Sequence, residues 1–172
     1  AFLFSIKLFF GIFFVFLLFN KRWKTLISSI VISIIFAALP LFHYSLNLYK
    51  DYLWILGSVH WYGANWNASF YGVLAKLFNT PDHHLKSFFN LPMLGKSIFY
   101  GLFIIYMALV ALIAKKAKTV KAFDLSFSFT LSTMLLISPL GWSYYFPMLI
   151  CSYLLLLKYS QTFIYVALLF SV

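Results

Sequence analysis

The stretch HWYGANWNASFYGVLAKLF, residues 60–78, gathers side chains that could bind a sugar. The indole faces of Trp61 and Trp66 could stack on pyranose rings, and the amides of Asn65 and Asn67 could both donate and accept hydrogen bonds with sugar hydroxyls. Each residue also has a plainer interpretation, because Trp is common at membrane interfaces and Asn is common in turns and at helix N-caps. Taken singly, each Trp fits an aromatic belt better, but the cluster weakens that interpretation, since a belt needs neither Asn nor Gly.

Lys7 is a second candidate, because it is a cation inside the apolar run 1–19. A charged residue at the centre of a membrane span costs about 2.5–3.5 kcal/mol on insertion scales and by default marks a site or a buried partner. Lys7 lies close enough to one end of the run for its ammonium group to snorkel to the interface. At that depth it would suit an anionic group such as phosphate.

Other motifs that could do chemistry are weaker. The triplet NAS at 67–69 matches a glycosylation acceptor, but it lies close to the membrane and at the start of a helix. The motif PDHH at 81–84 offers metal ligands, yet adjacent residues on one helix or strand point apart, so we predict no metal site and no cofactor. The sequence has no Ser-His-Asp arrangement, Gly-rich phosphate loop or paired carboxylate. A catalytic base for an acceptor hydroxyl is therefore expected upstream of these residues.

The composition indicates an integral membrane protein. Of the 172 residues, 64% are hydrophobic and only 9% are charged, whereas soluble domains contain about 25% charged residues. The net charge of +10 could suggest nucleic acid. However, seven of the thirteen basic residues lie in two clusters between apolar runs, NKRWK at 20–24 and KKAKTVK at 115–121. Such clusters are typical of cytoplasmic loops, so membrane lipids are predicted as partners and nucleic acid is not.

The apolar runs predict a single multi-pass transmembrane domain. Its spans are predicted at 1–19, 25–42, 97–114, about 122–138, about 142–157 and 159–172, the last one truncated. With both basic clusters cytoplasmic, residues 43–96 form one long external loop, and SPLGW at 138–142 faces the same compartment. We expect the sequence to be the C-terminal portion of a longer protein, because it starts without Met and stops inside an apolar run.

The external loop contains an amphipathic pattern that predicts a helix in the plane of the membrane interface. Asn67 suits its N-cap, and NTPDHH at 79–84 ends it. The predicted apolar face consists of Phe70, Val73, Leu74, Leu77 and Phe78, with Ser69, Gly72 and Lys76 opposite.

Three motifs together resemble the C-terminal half of glycosyltransferase family 87, multi-span GT-C enzymes typified by polyprenyl-phosphate-mannose-dependent mannosyltransferases. SIKLFFGIFFVFLLFNKRWK resembles a Lys-bearing span followed by a basic loop. ANWNASFYGVLAKLF is similar to N-Q-S-L-x-G-x-L-A-R-L, and LLISPLGWSYYFPML is similar to L-S-P-x-S-W-x-H-H. ANWNASFYGVLAKLF matches its family motif at Asn67, Ser69, Gly72, Leu74, Ala75 and Leu77. LLISPLGWSYYFPML matches its motif at Ser138, Pro139 and Trp142.

The resemblance implies an all-α, GT-C-like helical bundle whose external loop carries the interfacial helix. It implies a hexosyltransferase that moves a sugar, often mannose, from a polyprenyl-phosphate donor to a glycolipid or glycan acceptor outside the bacterial cytoplasmic membrane, in the cell envelope. Tyr144 and Tyr145 stand where many members have His, and a Tyr cannot carry imidazole's charge near neutral pH. The substrate-binding residues implied are Lys7, Trp61, Asn65, Asn67, Ser69, Ser138, Trp142, Tyr144 and Tyr145.

Two other functions are compatible with the residues. One is a transporter or flippase for a lipid-linked or small polar substrate, and the other is a non-catalytic membrane subunit. Transporters often show internal repeats and helices broken near the midplane. No repeat is visible in the sequence, and the SPLGW break is predicted at the external edge of the membrane rather than at its centre.

Overall fold

The computed structural model describes residues 8–58, 61–64, 66–78, 88–139, 141 and 143–159. Across these ranges the chain is helical and contains no β-strand. The α-helices are α1 (Ile12–Phe19), α2 (Trp23–Ala38), α3 (Asn47–Gly57), α4 (Phe70–Phe78), α5 (Pro92–Lys116), α6 (Val120–Ile137) and α7 (Leu149–Tyr159). Short 3₁₀ helices occur at Leu8–Gly11, Leu39–Phe42, Trp61–Gly63 and Ser143–Met148.

Three of the described helices are long and apolar enough to cross a membrane. They are Trp23–Phe42, Pro92–Lys116 and Val120–Ile137, and α7 is a shorter apolar helix. The all-helical membrane fold predicted from the sequence is therefore confirmed. Residues 160–172, the predicted last span, lie outside the described residues, as do residues 1–7 of the predicted first span. The division into six spans stays a prediction.

Proline sets several helix boundaries that differ from the predicted ones. α5 begins at Pro92, five residues before the predicted start, because proline at the first position of a helix lacks only an N–H that would have no partner there. Pro147 lies inside the 3₁₀ helix Ser143–Met148, so α7 begins only at Leu149 and not near residue 142. Pro40 similarly turns the end of the second span into a 3₁₀ helix.

α6 is the centre of the bundle and packs against α1, α5 and α7. Met134 is fully buried, and Phe16 of α1 and Val110 of α5 are each 1% exposed within the same apolar cluster. Several hydroxyl-bearing residues of α6 are also buried, and three of them donate to carbonyls of the same helix, as Thr130 does to Ser126 at 2.8 Å. The core therefore lies around α6, and these buried hydroxyl groups find their hydrogen-bond partners within the helix itself.

α2 lies at the edge of this bundle. Only Leu26 and Ser33 are buried along it, whereas Ile27, Ile34 and Ile35 are each more than half exposed. Apolar side chains facing outward along a helix of this length are typical of contact with lipid.

The two basic clusters meet at one end of the bundle. The Asn20 side-chain amide donates to the carbonyl of Ala114 at 3.0 Å and to that of Ala117 at 3.4 Å. The guanidinium of Arg22 lies 4.3 Å from the ring centroid of Phe123, at the start of α6. The prediction that both clusters lie on the same side of the membrane is consistent with this contact.

Candidate functional site

α4 lies along α5 and runs antiparallel to it. Phe70 at its start is 5.7 Å from the Tyr106 ring centroid, and Phe78 at its end lies against Gly95. Tyr106 lies 14 residues after Pro92, which is about 21 Å along the helix. The start of α4 is therefore deep beside a membrane-spanning helix, and not at that helix's end.

The start of α4 is capped by Ser69 and not by Asn67 as predicted. The Ser69 hydroxyl accepts a hydrogen bond from the backbone N–H of Gly72 at 3.1 Å, which is the usual bond of an N-cap residue to the third helical position. The buried face also differs from the predicted one, because Gly72 is buried and Val73 is 49% exposed. Since Asn67 lies against Gly72, this face of α4 turns toward the preceding segment.

Asn67 joins the segment before α4 to the segment after α6. Its amide nitrogen donates to the carbonyl of Tyr62 at 2.7 Å and to that of Pro139 at 2.9 Å. Its amide oxygen accepts from the hydroxyl and the N–H of Ser69, at 2.8 and 3.2 Å, and from the N–H of Gly141 at 2.8 Å. The Asn67 side chain is 1% exposed, so this acceptor triplet is closed to glycosylation in the folded protein.

Two glycines allow the segments to come this close. A Cβ atom at Gly141 would lie 2.9 Å from the Ser69 backbone nitrogen, and one at Gly72 would lie 2.7 Å from the Asn67 side chain. In addition, the N–H of Ala68 donates to the Gly141 carbonyl at 2.9 Å. We call these contacts between residues 67–72 and 139–141 the junction.

A pocket of about 130 Å³ opens beside the junction. Most of its walls are aliphatic, and the hydroxyl-bearing residues Ser132 and Tyr145 complete them. Its lining residues are Ala68, Ser132, Leu135, Leu136, Gly141, Tyr145 and Leu149. Pockets that bury a whole drug-sized ligand measure about 300–1,000 Å³, so this one could hold only a short apolar section of a larger molecule.

The structure brings together only some of the predicted site residues. Asn67, Ser69 and Ser138 are each at most 1% exposed at the junction, and Tyr145 lines the pocket. Trp61 and Tyr144 are described by their backbone alone, in 3₁₀ helices. Lys7, Asn65 and Trp142 lie outside the described residues. Substrate binding by these nine residues stays a prediction.

Sequence reasoning missed the part played by glycine. The sequence singles out Gly72 only as a position that matches the family motif, and it predicts no role for Gly141. The available signal was glycine beside a turn or within a short helix, which often marks a close approach of another backbone. Ser132 carried no such signal, because serines are frequent along α6.

Asp124, the carboxylate on α6, lies away from the junction. Asp124 lies near the start of α6, at the basic end, where its side chain accepts from the Tyr159 hydroxyl at 2.5 Å and pairs with Lys158 at 3.4 Å. Asp124 is therefore held by α7, and Lys121 lies 5.7 Å from the Tyr159 ring centroid. Asp51 is exposed on α3. Among the described residues, no group of three His, Cys, Asp or Glu side chains could hold a metal ion.

Comparison with known proteins identifies the family. The family model described as glycosyltransferase family 87 matches residues 1–139. The chain belongs to glycosyltransferase family 87. The matched range includes the motif with the first basic loop and the motif that contains α4, and it ends at Pro139. Trp142, Tyr144 and Tyr145 therefore lie beyond it. Searches of curated proteins and of solved structures found no significant match. Membership together with the apolar helices indicates a membrane glycosyltransferase.

Proposed function

We propose that this protein transfers mannose from a polyprenyl-phosphate donor to a glycolipid or glycan acceptor on the external side of the bacterial cytoplasmic membrane. In this reaction an acceptor hydroxyl oxygen forms a bond to the anomeric carbon of the sugar. The bond from that carbon to the donor phosphate oxygen breaks, and the polyprenyl phosphate leaves. The hydroxyl proton goes to a general base.

The observation that carries the proposal is the junction itself. It joins Asn67, the last member of the Trp/Asn cluster, to Pro139 and Gly141 of SPLGW. Two motifs that carry the resemblance therefore lie side by side. The start of α4 lies about 21 Å along α5, as its contact with Tyr106 shows. A site at this depth would be open to a donor whose lipid chain stays in the membrane.

The pocket supports a lipid-linked donor over a soluble one. Contact between its aliphatic walls and a hydrocarbon chain would cost little free energy. A nucleotide would instead place phosphate charge against these walls without compensating groups, which costs much more. Ser132 and Tyr145 are the hydroxyl-bearing residues among those that line the pocket. The pocket therefore favours an apolar section of a ligand, such as part of a lipid chain.

We assign the substrate contacts to side chains outside the junction. Lys7 and the turn carrying Trp142, Tyr144 and Tyr145 would approach the donor phosphate, and Trp61 with Asn65 would approach the sugars. Asn67, Ser69 and Ser138 would take part from buried positions behind them. The catalytic base would come from an external loop of the protein outside these 172 residues, since Asp124 is bonded at the opposite end.

The proposal is tested by sugar transfer in membranes that contain the full-length protein. Polyprenyl-phosphate-mannose is the labelled donor, endogenous lipids are the acceptors, and Lys7→Ala is compared with Lys24→Ala from the basic loop. We expect Lys7→Ala to lower transfer by about 10²-fold, the usual effect of removing one group that stabilises developing charge. Lys24→Ala should leave transfer unchanged, because Lys24 lies at the basic end.

The possible results separate function from residue assignment. Equal transfer by both variants would keep the function and remove Lys7 from the site. Transfer from a nucleotide-activated sugar but not from polyprenyl-phosphate-mannose would contradict the proposed donor. Transport of the labelled lipid across the membrane without product formation would instead favour a flippase.

A further inference from the structure

We propose that Asn67 is a positioning residue of the sugar-transfer site, which acts by fixing the 139–141 segment and contacts no substrate. The inference rests on the proposed function for its catalytic meaning. It differs from the role that the sequence suggests, in which the Asn67 amide binds a sugar. The structural part of the inference can be tested without any sugar transfer.

The hydrogen-bonding capacity of Asn67 is filled within the protein. A primary amide has two N–H donors and two oxygen lone pairs. Both donors are taken by the carbonyls of Tyr62 and Pro139, and the oxygen accepts from Ser69 and Gly141. With 1% of its surface exposed, the side chain offers no atom to a sugar hydroxyl.

These bonds hold Pro139 and Gly141 in place. The Pro139 carbonyl and the Gly141 N–H flank residue 140 and are both held by the same amide group. The 3₁₀ helix Ser143–Met148 begins two residues after Gly141, and its Tyr145 shares the pocket with Gly141. The position of the pocket wall and of the predicted donor-binding turn therefore depends on Asn67.

Glycine at position 141 is required for the same contact. A Cβ atom there would meet the Ser69 backbone nitrogen at 2.9 Å and its Cβ at 3.0 Å. Neither atom is the free end of a flexible side chain, so the segments would have to separate. Substitution at Gly141 thus disturbs the junction from the opposite side without removing a polar group.

The decisive variant is Asn67→Asp in the full-length protein. Aspartate has the same shape and keeps the acceptor oxygen for Ser69 and Gly141, but it loses both N–H donors to Tyr62 and Pro139. We expect kcat to fall by about 10²-fold with the KM for polyprenyl-phosphate-mannose unchanged, as a displacement of about 1 Å at a reacting site does. A raised KM with an unchanged kcat would show direct sugar binding and overturn the inference.

A matched pair of glycine variants keeps the test valid if Asn67→Asp does not fold. Gly141→Ala should give the same loss of kcat, while Gly101→Ala on α5, where a Cβ meets nothing within 4 Å, should retain full activity. The double variant Asn67→Asp/Gly141→Ala should have a kcat only slightly below that of either single variant, because both substitutions disturb the same contact. Losses that multiply would show two independent structural effects and overturn the inference.

Amide hydrogen exchange tests the fixing of the turn independently of transfer. In the unaltered protein the Gly141 amide should exchange slowly, because its hydrogen is donated to a buried oxygen. In Asn67→Asp, exchange should accelerate at residues 141–145 and stay unchanged in α5 and α6. Unaltered protection at Gly141 would overturn the inference even if polyprenyl-phosphate-mannose were not the donor. Loss of protection throughout α5 and α6 would also overturn it, since Asn67 would then serve the whole fold.

Discussion

The side-chain oxygen of Asn67 accepts the backbone N–H of Gly141 at 2.8 Å, across 74 residues of sequence. Asn67 precedes α4 and Gly141 follows α6, so the bond ties the start of α4 to the end of α6 that lies away from the basic loops. Because it is buried, breaking it would leave polar atoms without water to replace the lost partner. The bond therefore couples the two motifs through which the chain resembles its family.

Gly72→Ala tests how tightly the junction is packed. A Cβ at this position would lie 2.7 Å from the Asn67 side chain and its carbonyl oxygen, and overpacking of this kind costs about 1–3 kcal/mol. The better helix propensity of alanine offsets about 1 kcal/mol of that cost. We expect a lower midpoint of thermal unfolding in detergent, whereas Gly101→Ala should raise the midpoint or leave it unchanged. Equal midpoints for the two variants would show that the junction is loose.

Ser152→Ala tests the contact between α6 and α7. The buried Ser152 hydroxyl donates to the Ser128 carbonyl at 3.1 Å, and interhelical hydrogen bonds in membrane proteins contribute about 0.6 kcal/mol on average. We expect a small loss of that order in the free energy of unfolding, measured in detergent or bicelles. The neighbouring exposed Cys151 supplies the control, since Cys151→Ala removes no such bond. A larger loss in the Cys151 variant would contradict the assigned packing.

Much of the helical architecture could be predicted from the sequence because it depends on local pattern. Long apolar runs specify α2, α5 and α6, and basic clusters specify which loops share a side. The helix at Phe70–Phe78 was likewise predicted from its period. Its N-cap was not, because Asn and Ser are both good caps and only the observed bond to Gly72 decides for Ser69.

The role of Asn67 could not be predicted, because its partners are distant in the chain. A side-chain amide can bond to backbone carbonyls or remain available to a ligand. Which of the two occurs depends on the segment that packs against it, here one that includes Pro139. The contacts of Asp124 are also distant in the chain, since its partners Lys158 and Tyr159 come from α7. Local charge patterns contain no information about such contacts.

Asp124→Asn tests whether the described acidic residue on α6 takes part in transfer. Its carboxylate is bonded to Tyr159 and Lys158 at the basic end, far along α6 from the pocket residues Ser132 and Leu136. We expect full transfer from polyprenyl-phosphate-mannose at equal protein level in the membrane. Loss of transfer in a variant that inserts normally would contradict the assignment of the base to another part of the protein.

Ser132→Leu tests whether the pocket beside the junction holds part of the donor lipid. Ser132 lines the pocket of about 130 Å³, and the added isobutyl group would occupy much of that space. Displacing roughly two methylene groups of a bound chain would cost about 1.6 kcal/mol, so the KM for polyprenyl-phosphate-mannose should rise about tenfold. The chemistry would be untouched, so kcat should stay close to that of the unaltered protein. Ser132→Ala, which keeps the pocket open, should show neither change. If Ser132→Leu instead lowered kcat at an unchanged KM, the pocket would be part of the transfer machinery and not a lipid-binding surface.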